Sequence, residues 1–311
     1  MADKAHKATD DILRKMELRL SSIYSTAADQ ISKAWKAYMI ASGEKISGLQ
    51  EDYHDAIKTG DSKVIRKAMK KLQNEMRMQT ISNRHFRNLS KQMAENMLNV
   101  NQTAIDYING KLPQIYCLNY NNLESTVDGV GGYSFELVSP DVIKDLSTQE
   151  RNLLPYKTID GRKEIRWNIQ NINSEVLQGI LQGESMDKIA DRFENVLGMN
   201  ENSAIRNART TVTSAENKGR QDSFDRAKKD GIVMKKQWIA TPGSRTRQWH
   251  SDLDGKMVDV DDSWENLIHL SKYKRMLDHI RYPGDPEAHP ANVYNCRCTM
   301  IAKVVGFKKV K

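Results

Sequence analysis

The chain has 311 residues, of which 39% are hydrophobic, 28% charged and 7% aromatic, and its formal net charge is +8. This length favours two domains over one, and the composition suits helices better than large sheets. No apolar run reaches the roughly 18 residues that a membrane span needs, and the first residues lack a secretory signal. We therefore expect a cytosolic protein with no membrane partner, whose three cysteines are reduced.

The first predicted element is a long helix from about Asp10 to Met39. Its apolar residues recur at steps of three or four, which places them along one side of a helix. Gly43, Gly48 and Gly60 then interrupt this pattern.

A second long helix is predicted to begin at Asp61 or Ser62, because either side chain offers an N-cap. The helical pattern continues to about Asn109. Gly110 followed by Pro113 is expected to end this helix.

The predicted second helix has one apolar face and one basic face. The apolar face has heptad-like spacing and is expected to pack on another helix: Met69, Leu72, Met76, Phe86, Met93, Met97, Val100 and Ala104. Between positions 63 and 91 the chain has nine basic residues and one acid. Five basic residues fall seven apart on the other side and are predicted to bind double-stranded DNA without sequence preference: Lys63, Lys70, Arg77, Arg84 and Lys91. A solvated face or a dock for an acidic protein surface is the alternative.

Residues 110 to 170 carry the weakest pattern, with a glycine-rich turn at 128–134 and further breaks at Pro140 and Pro155. We place the domain linkage in this stretch. The predicted division is a helical region at 1–120, a linker or irregular connection at 121–170 and a compact domain at 171–311.

The C-terminal part is predicted to be α+β, which makes the whole chain an α+β protein with a long-helix N-terminal region. Helical periodicity returns in three segments: Ile172 to Leu181, Ser185 to Leu197, and about Asn202 to Lys229 with Gly231 as terminator. The period then changes to two in three predicted strands: residues 232–240, 257–260 and 296–305.

Four motifs follow one another in this C-terminal part: RNARTTVTSAENKGR from residue 206, QWIATPGSRTRQWHSDLDG from 237, YPGDP from 282 and NCRC from 295. In this order they resemble the phage Mu F-like minor head protein family over roughly residues 200 to 305. The resemblance assigns these residues to the core of the family motifs: Arg209, Thr210, Trp238, Arg245, Arg247, His250, Asp254, Gly255, Pro283, Gly284, Asp285, Asn295, Cys296, Arg297 and Cys298.

The resemblance implies a few-copy protein of the phage head that joins the procapsid during assembly. Its expected partners are the phage portal protein, a capsid or scaffolding protein and the packaged DNA, in the virion and, during assembly, in the host cytoplasm. Some family members influence DNA packaging or ejection. A virion-delivered nuclease-like or toxin-like effector and a sequence-independent DNA-binding module are the alternatives.

The chain departs from the family pattern at two places. Gly243 and Ser244 stand where an aspartate often precedes the Arg-x-Arg motif, and Thr211 stands where a glutamate often follows Arg-Thr. Chemistry that depends on those acids is not expected here. We therefore predict a non-enzymatic protein with no catalytic residues and no cofactor.

Zinc ligands of the usual types occur in the C-terminal motifs: His250, Cys296 and Cys298, with Asp285, His289 or His279 to complete four. Structural zinc sites usually separate paired cysteines by two to four residues, whereas a single residue separates these two. On a strand both thiols would also share a face with Met300. We therefore predict buried thiols without a metal.

Arg245, Arg247 and His250, with Glu216 from the long helix, carry groups that a metal-independent nuclease could use. We favour a structural interpretation in which the arginines pair with aspartates to hold irregular loops: Asp252, Asp254 or Asp285.

The long helix also carries a polar line formed by Arg209, Thr213, Glu216 and Arg220. Arg209 and Thr213 are four residues apart, as are Glu216 and Arg220, and this spacing predicts a solvated, ion-paired face. The resemblance adds the alternative that Arg209 contacts the C-terminal motifs.

Overall fold

A computed structural model describes residues 3–42, 44–79, 84–150, 152–184, 186–264, 267 and 279–308. In this part of the chain the helices are α1 Lys4–Ser42, α2 Glu44–Thr59, α3 Ser62–Gln79, α4 Arg84–Asn121, α5 Glu124–Val127, α6 Pro140–Gln149, α7 Gly161–Gln182, α8 Met186–Lys229, α9 Gln248–Asp252 and α10 Pro290–Val293. The strands are β1 Ile232–Ile239, β2 Met257–Asp259 and β3 Thr299–Phe307. The predicted α+β class is confirmed. None of the helices in the described ranges has an apolar stretch sufficient for a bilayer span.

The chain forms two compact units that are interleaved in sequence. The sheet unit consists of Met1–Leu18, Asp106–Lys157 and Ile205–Lys311. The helical unit consists of Arg19–Ile105 and Thr158–Ala204. This grouping differs from the contiguous division at residues 120 and 170, which stays a prediction about folding units.

The sheet unit contains a three-stranded antiparallel sheet with the order β2-β1-β3. Alternate residues of β1 are buried, which the period-two pattern predicted. One apolar cluster contains Ile232, Met234 and Met300, together with Phe224 of α8. A second cluster surrounds Trp238. The predicted strands at 232–240 and 257–260 are confirmed, whereas the third begins at Thr299 rather than at residue 296.

The helical unit has an aromatic centre. The Trp35 ring is fully buried, and it contacts Phe86 at 6.1 Å and Phe193 at 5.2 Å between ring centroids, both edge to face. Leu72 and Met76 of α3 are also buried, so the apolar face predicted for this region is present.

Several predicted helix boundaries were wrong. The glycine at 48 does not interrupt the helical structure, because α2 runs through it. The predicted second helix is two helices, α3 and α4, and residues 80–83 lie outside the described ones. Pro113 does not end α4, since Leu112, Ile115 and Tyr116 around it are buried and their packing opposes the local cost of proline.

A fourth error concerns α8, which is one helix of 44 residues rather than two segments. It ends at Lys229 beside Gly231, whose φ of 95° agrees with the predicted terminator. The stretch predicted as irregular contains α5, α6 and the start of α7, and Phe135 within it is buried.

Candidate functional site

A ladder of hydrogen bonds joins α8 to the Asn-Cys-Arg-Cys segment and the start of β3. The Thr210 hydroxyl accepts from the Asn295 N–H at 3.1 Å, and the Thr213 hydroxyl donates to the Cys296 carbonyl at 2.6 Å. Residues three and four apart lie on one helix face, so the ladder continues along α8. Its next rungs are Asn217 Nδ2 to the Cys298 carbonyl at 3.1 Å and an Arg220 guanidinium N–H to the Met300 carbonyl at 3.0 Å. These side chains hold backbone that precedes and begins β3.

The charged part of the ladder is buried. Arg220 is 1% exposed and Glu216 is 2% exposed. The Arg220 guanidinium donates to both carboxylate oxygens of Asp3, at 2.6 and 2.8 Å, and to Asn119 Oδ1 at 3.0 Å. Glu216 accepts from the Thr299 hydroxyl at 2.7 Å and contacts His6 Nδ1 at 2.7 Å.

These contacts correct the prediction of a solvated face on α8. Thr213, Glu216 and Arg220 are buried, because β3 and the beginning of α1 supply partners for their polar groups. Only the Glu216–Arg220 pair of the two predicted contacts is present, with 3.6 Å between Oε1 and Nε. Arg209 instead pairs with Glu17, with Nε and Oε1 2.6 Å apart.

Arg220 and Glu216 shift the pKa values of two residues near the start of the chain, Asp3 and His6. Burial opposes ionisation of Asp3, but the hydrogen bonds and charge of Arg220 lower the pKa of its carboxyl to about 2. Burial alone would lower the pKa of His6, yet the hydrogen bond and charge of Glu216 raise it. Both residues therefore favour their charged forms.

Two glycines of the family motifs occupy left-handed backbone. Gly255 has a φ of 75°, and its N–H donates to the Trp238 carbonyl at 2.9 Å. Gly284, after the buried Pro283, has a φ of 77°. A Cβ at this position would lie 3.1 Å from the Ser214 nitrogen of α8, so any side chain would be crowded as well as strained.

Asp254 and Asp285 bind backbone and Asp252 binds the Gln248 side chain, which corrects the predicted pairing with arginine. Asp254 Oδ1 accepts from the Ala240 N–H at 2.8 Å. The buried Asp285 accepts from the backbone N–H groups of Arg281 and Glu287 at 3.1 and 3.0 Å, and burial raises the pKa of its carboxyl. The loops are therefore held by carboxylate-to-backbone hydrogen bonds.

His250 and the two cysteines of the motif come together in the interior. Nδ1 of His250 lies 3.6 Å from the Sγ atom of Cys296 and 3.6 Å from that of Cys298, and all three residues are buried. The hydrogen bond between the thiols lowers the pKa of Cys298, which contact with His250 lowers further, and the same bond raises the pKa of Cys296. The Trp238 and His250 rings pack edge to face, with centroids 5.3 Å apart.

These three residues form part of the lining of a cavity of about 320 Å³. Four arginines line the same cavity: Arg209, Arg245, Arg247 and Arg297. Its described lining contains no carboxylate. Arg247 also donates to the Tyr294 carbonyl. The cavity is therefore suited to an anion.

The structure thus brings most motif residues to the part of α8 between Arg209 and Arg220. Glu216, of the nuclease set considered from the sequence, is bound to Thr299 and His6 and does not line the cavity that holds Arg245, Arg247 and His250. The predicted DNA-binding residues belong to the other unit. Their side chains are exposed on α3 and α4: Lys63, Lys70, Arg77, Arg84 and Lys91.

Residues 170–301 match the family model described as Phage Mu protein F like protein. This part of the chain is a Mu F-like domain. The chain is also 26% identical over 207 residues to minor head protein GP7 of Bacillus phage SPP1, an alignment that covers 66% of this chain and 64% of that protein. No solved structure matches the chain.

A second relative carries a different name. The chain is 33% identical over 137 residues to NAD(+)-arginine ADP-ribosyltransferase EFV of Enterococcus faecalis. That alignment covers 44% of this chain and 26% of the enterococcal protein. The chain therefore spans about a quarter of one relative and less than two thirds of the other.

Sequence reasoning missed the residues that hold the Mu F-like domain together. Asn217 was not singled out, and the buried roles of Thr213 and Arg220 were not predicted. A signal was present in the composition of α8, because the small residues of the segment TTVTSAENKG permit close packing on several sides. Gly219 shows this: a Cβ there would lie 2.5 Å from the Tyr116 carbonyl oxygen of α4.

Proposed function

We propose that the chain is a minor head protein of a tailed bacteriophage, which acts in head morphogenesis at the portal vertex of the procapsid. The alignment with the SPP1 minor head protein carries this proposal. Its 207 aligned residues are more than the domain at residues 170–301 contains, so the similarity extends beyond the Mu F-like domain.

The engagement of the motif residues supports a structural role for the domain. The polar groups of Thr210, Thr213, Asn217 and Arg220 are used to hold backbone between Asn295 and Met300. Such contacts fix a fold and leave these groups unavailable for substrate. Fully satisfied buried polar networks of this kind rigidify a fold.

Portal association is tested by co-expression. The chain is produced together with the portal protein encoded by the same phage genome, and the portal is purified through a tag. We expect the chain to co-purify with the assembled portal in fixed stoichiometry and to remain bound at moderate salt. Free chain in every fraction would contradict portal association, while the presence of the chain in procapsids would still be measured separately.

We also propose that the basic face touches the packaged DNA. Its five cations are exposed on α3 and α4, and Lys91 lies 3.7 Å from Glu95 in a solvent-exposed pair that contributes little. Phosphate contacts from such side chains provide affinity without sequence information. The buried Leu72 and Phe86 leave the cations of the same helices directed away from the core.

ADP-ribosyl transfer is a second candidate function, which the similarity to the enterococcal enzyme favours. That similarity covers only 26% of the enzyme. In this chain Glu216, the one carboxylate of the catalytic set considered from the sequence, is buried and bound to Thr299 and His6. We therefore expect no transfer of ADP-ribose from NAD+ to agmatine, and no cleavage of RNA or DNA. Transfer above background, or cleavage abolished by His250→Ala, would overturn the non-enzymatic role.

A further inference from the structure

The geometry points to a zinc site in the Mu F-like domain, in place of the metal-free thiols expected from the sequence. In this site His250 Nδ1 and the Sγ atoms of Cys296 and Cys298 bind one Zn²⁺. The three ligand atoms lie within 4.8 Å of one another, and all three residues are buried. Two thiolates and an imidazole are the ligand types that select zinc among divalent ions of the cell.

The separations of the ligand atoms fit a tetrahedral ion. With Zn–S bonds of about 2.3 Å and a Zn–N bond of about 2.0–2.1 Å, tetrahedral angles place nitrogen and sulfur about 3.5–3.6 Å apart. His250 Nδ1 is 3.6 Å from each sulfur. One imidazole nitrogen at this distance from two thiols is a poor hydrogen-bond arrangement, because thiols are weak donors, but it is the spacing that a shared metal ion requires.

The short Cys-x-Cys spacing is compatible with this site because burial alternates along the segment. Cys296 and Cys298 are buried while Arg297 between them is exposed, so both sulfurs point to one side. Met300, which the strand pattern placed with them, belongs to the other apolar cluster. The argument from spacing against a metal therefore does not apply to this backbone.

Side chains of α8 hold the backbone of the two cysteines. The Thr213 hydroxyl and the Asn217 amide bind the carbonyls of Cys296 and Cys298 respectively. Groups that hold the backbone of ligands reduce the entropy lost when the metal binds. The site is thus preorganised by the same ladder that joins α8 to β3.

The fourth coordination position opens to the arginine-lined cavity. Within the described ranges no other Cys, His, Asp or Glu joins the cluster, and all three ligands line that cavity. Two thiolates neutralise the charge of Zn²⁺, so Arg245, Arg247 and Arg297 favour an anion or a polarised water at the fourth position, whereas Arg209 of the same lining pairs with Glu17. The site has the form of three protein ligands and one exchangeable ligand.

Elemental analysis of the full chain, purified without a chelator or a metal-affinity column, tests the assignment. We expect one zinc per chain in the parent protein, and loss of the zinc in Cys298→Ser and in His250→Ala. Cys117→Ser is the matched control, because Cys117 is also a buried thiol but lies on α4 outside the cluster. This variant should keep its zinc.

Spectroscopy on the parent protein removes any dependence on how the variants fold. X-ray absorption should give two sulfurs at about 2.3 Å and lighter ligands at about 2.0 Å. The cobalt-substituted chain should show thiolate charge-transfer absorption, and phosphate should alter its visible bands at the open position. A parent chain that takes up no zinc after incubation, or a zinc shell without sulfur, would overturn the site. Visible bands unchanged by phosphate would overturn the open position.

Discussion

Replacement of Arg220 by methionine is expected to destabilise the sheet unit strongly. Arg220 is 1% exposed and binds Asp3, Asn119 and the Met300 carbonyl, with Glu216 3.6 Å from its Nε atom. The substitution removes the one guanidinium that satisfies all of these groups. It leaves the buried Glu216 carboxylate and the partly exposed Asp3 carboxylate without this partner.

The magnitude follows from the burial of the partners. Removal of one member of a buried ion pair costs about 3–5 kcal/mol, because the remaining charge is left without compensation. The Asp3 side chain keeps 26% of its exposure and can be partly hydrated, and Glu216 retains His6, so we expect about 3–4 kcal/mol. Glu216→Gln in the Arg220→Met background should recover part of the loss, since it removes one of the stranded charges.

Urea unfolding followed by tryptophan fluorescence and circular dichroism measures this change. Arg226→Met is the matched control, because Arg226 lies on the same helix and pairs with Asp230 at 2.9 Å, but its side chain is 54% exposed. An exposed pair is worth at most about 1 kcal/mol. Equal free energies of unfolding for the two variants would refute the ladder as a source of stability.

Three further predictions concern charge and chain organisation. In the first, four of the exposed basic residues are changed to glutamine: Lys70, Arg77, Arg84 and Lys91. The slope of log affinity for duplex DNA against log salt should flatten by about three to four units, at about 0.9 per phosphate contact. An unchanged slope would rule out the DNA role. The pKa of the Asp3 carboxyl falls from 3.8 to about 2 on folding, so Asp3 contributes stability above pH 4 that disappears between pH 4 and 2. Allowing for the partial exposure of Asp3, the Asp3→Asn variant should lack about 1–2 kcal/mol of this pH dependence. Identical acid-unfolding profiles for parent and variant would contradict the Asp3–Arg220 contact. Limited proteolysis tests the domain boundary, because the contiguous division predicts first cleavage within residues 128–155. The burial of Phe135 and Leu154 favours a protease-resistant core that retains this interval. Such a core would exclude the contiguous division.

The helices and the sheet were predictable where one periodicity dominates a segment. The apolar residues of α1 and the alternation in β1 each follow from contacts on a single face. The helix α2 was missed because Gly48 is locally unfavourable, and α4 was ended too early because Pro113 is. In both cases packing at other positions decides the structure, and a local pattern does not report it.

The candidate site was predictable only as a set of residues. The family motifs nominated His250, Cys296 and Cys298, but the pattern did not show that both sulfurs lie 3.6 Å from one imidazole nitrogen. The polar face of α8 was interpreted as solvated because charged residues at helical spacing usually are. Its partners come from β3 and from Asp3, more than 200 residues away in sequence, and no local pattern encodes such contacts.

Mass spectrometry and cryo-electron microscopy of purified heads test the central claim most directly. If the chain is a minor head protein, its peptides will be found in procapsids and in mature virions in a few copies per particle, with density for the Mu F-like domain at the portal vertex. Particles that assemble, package DNA and infect normally while lacking the chain at both stages would contradict the account.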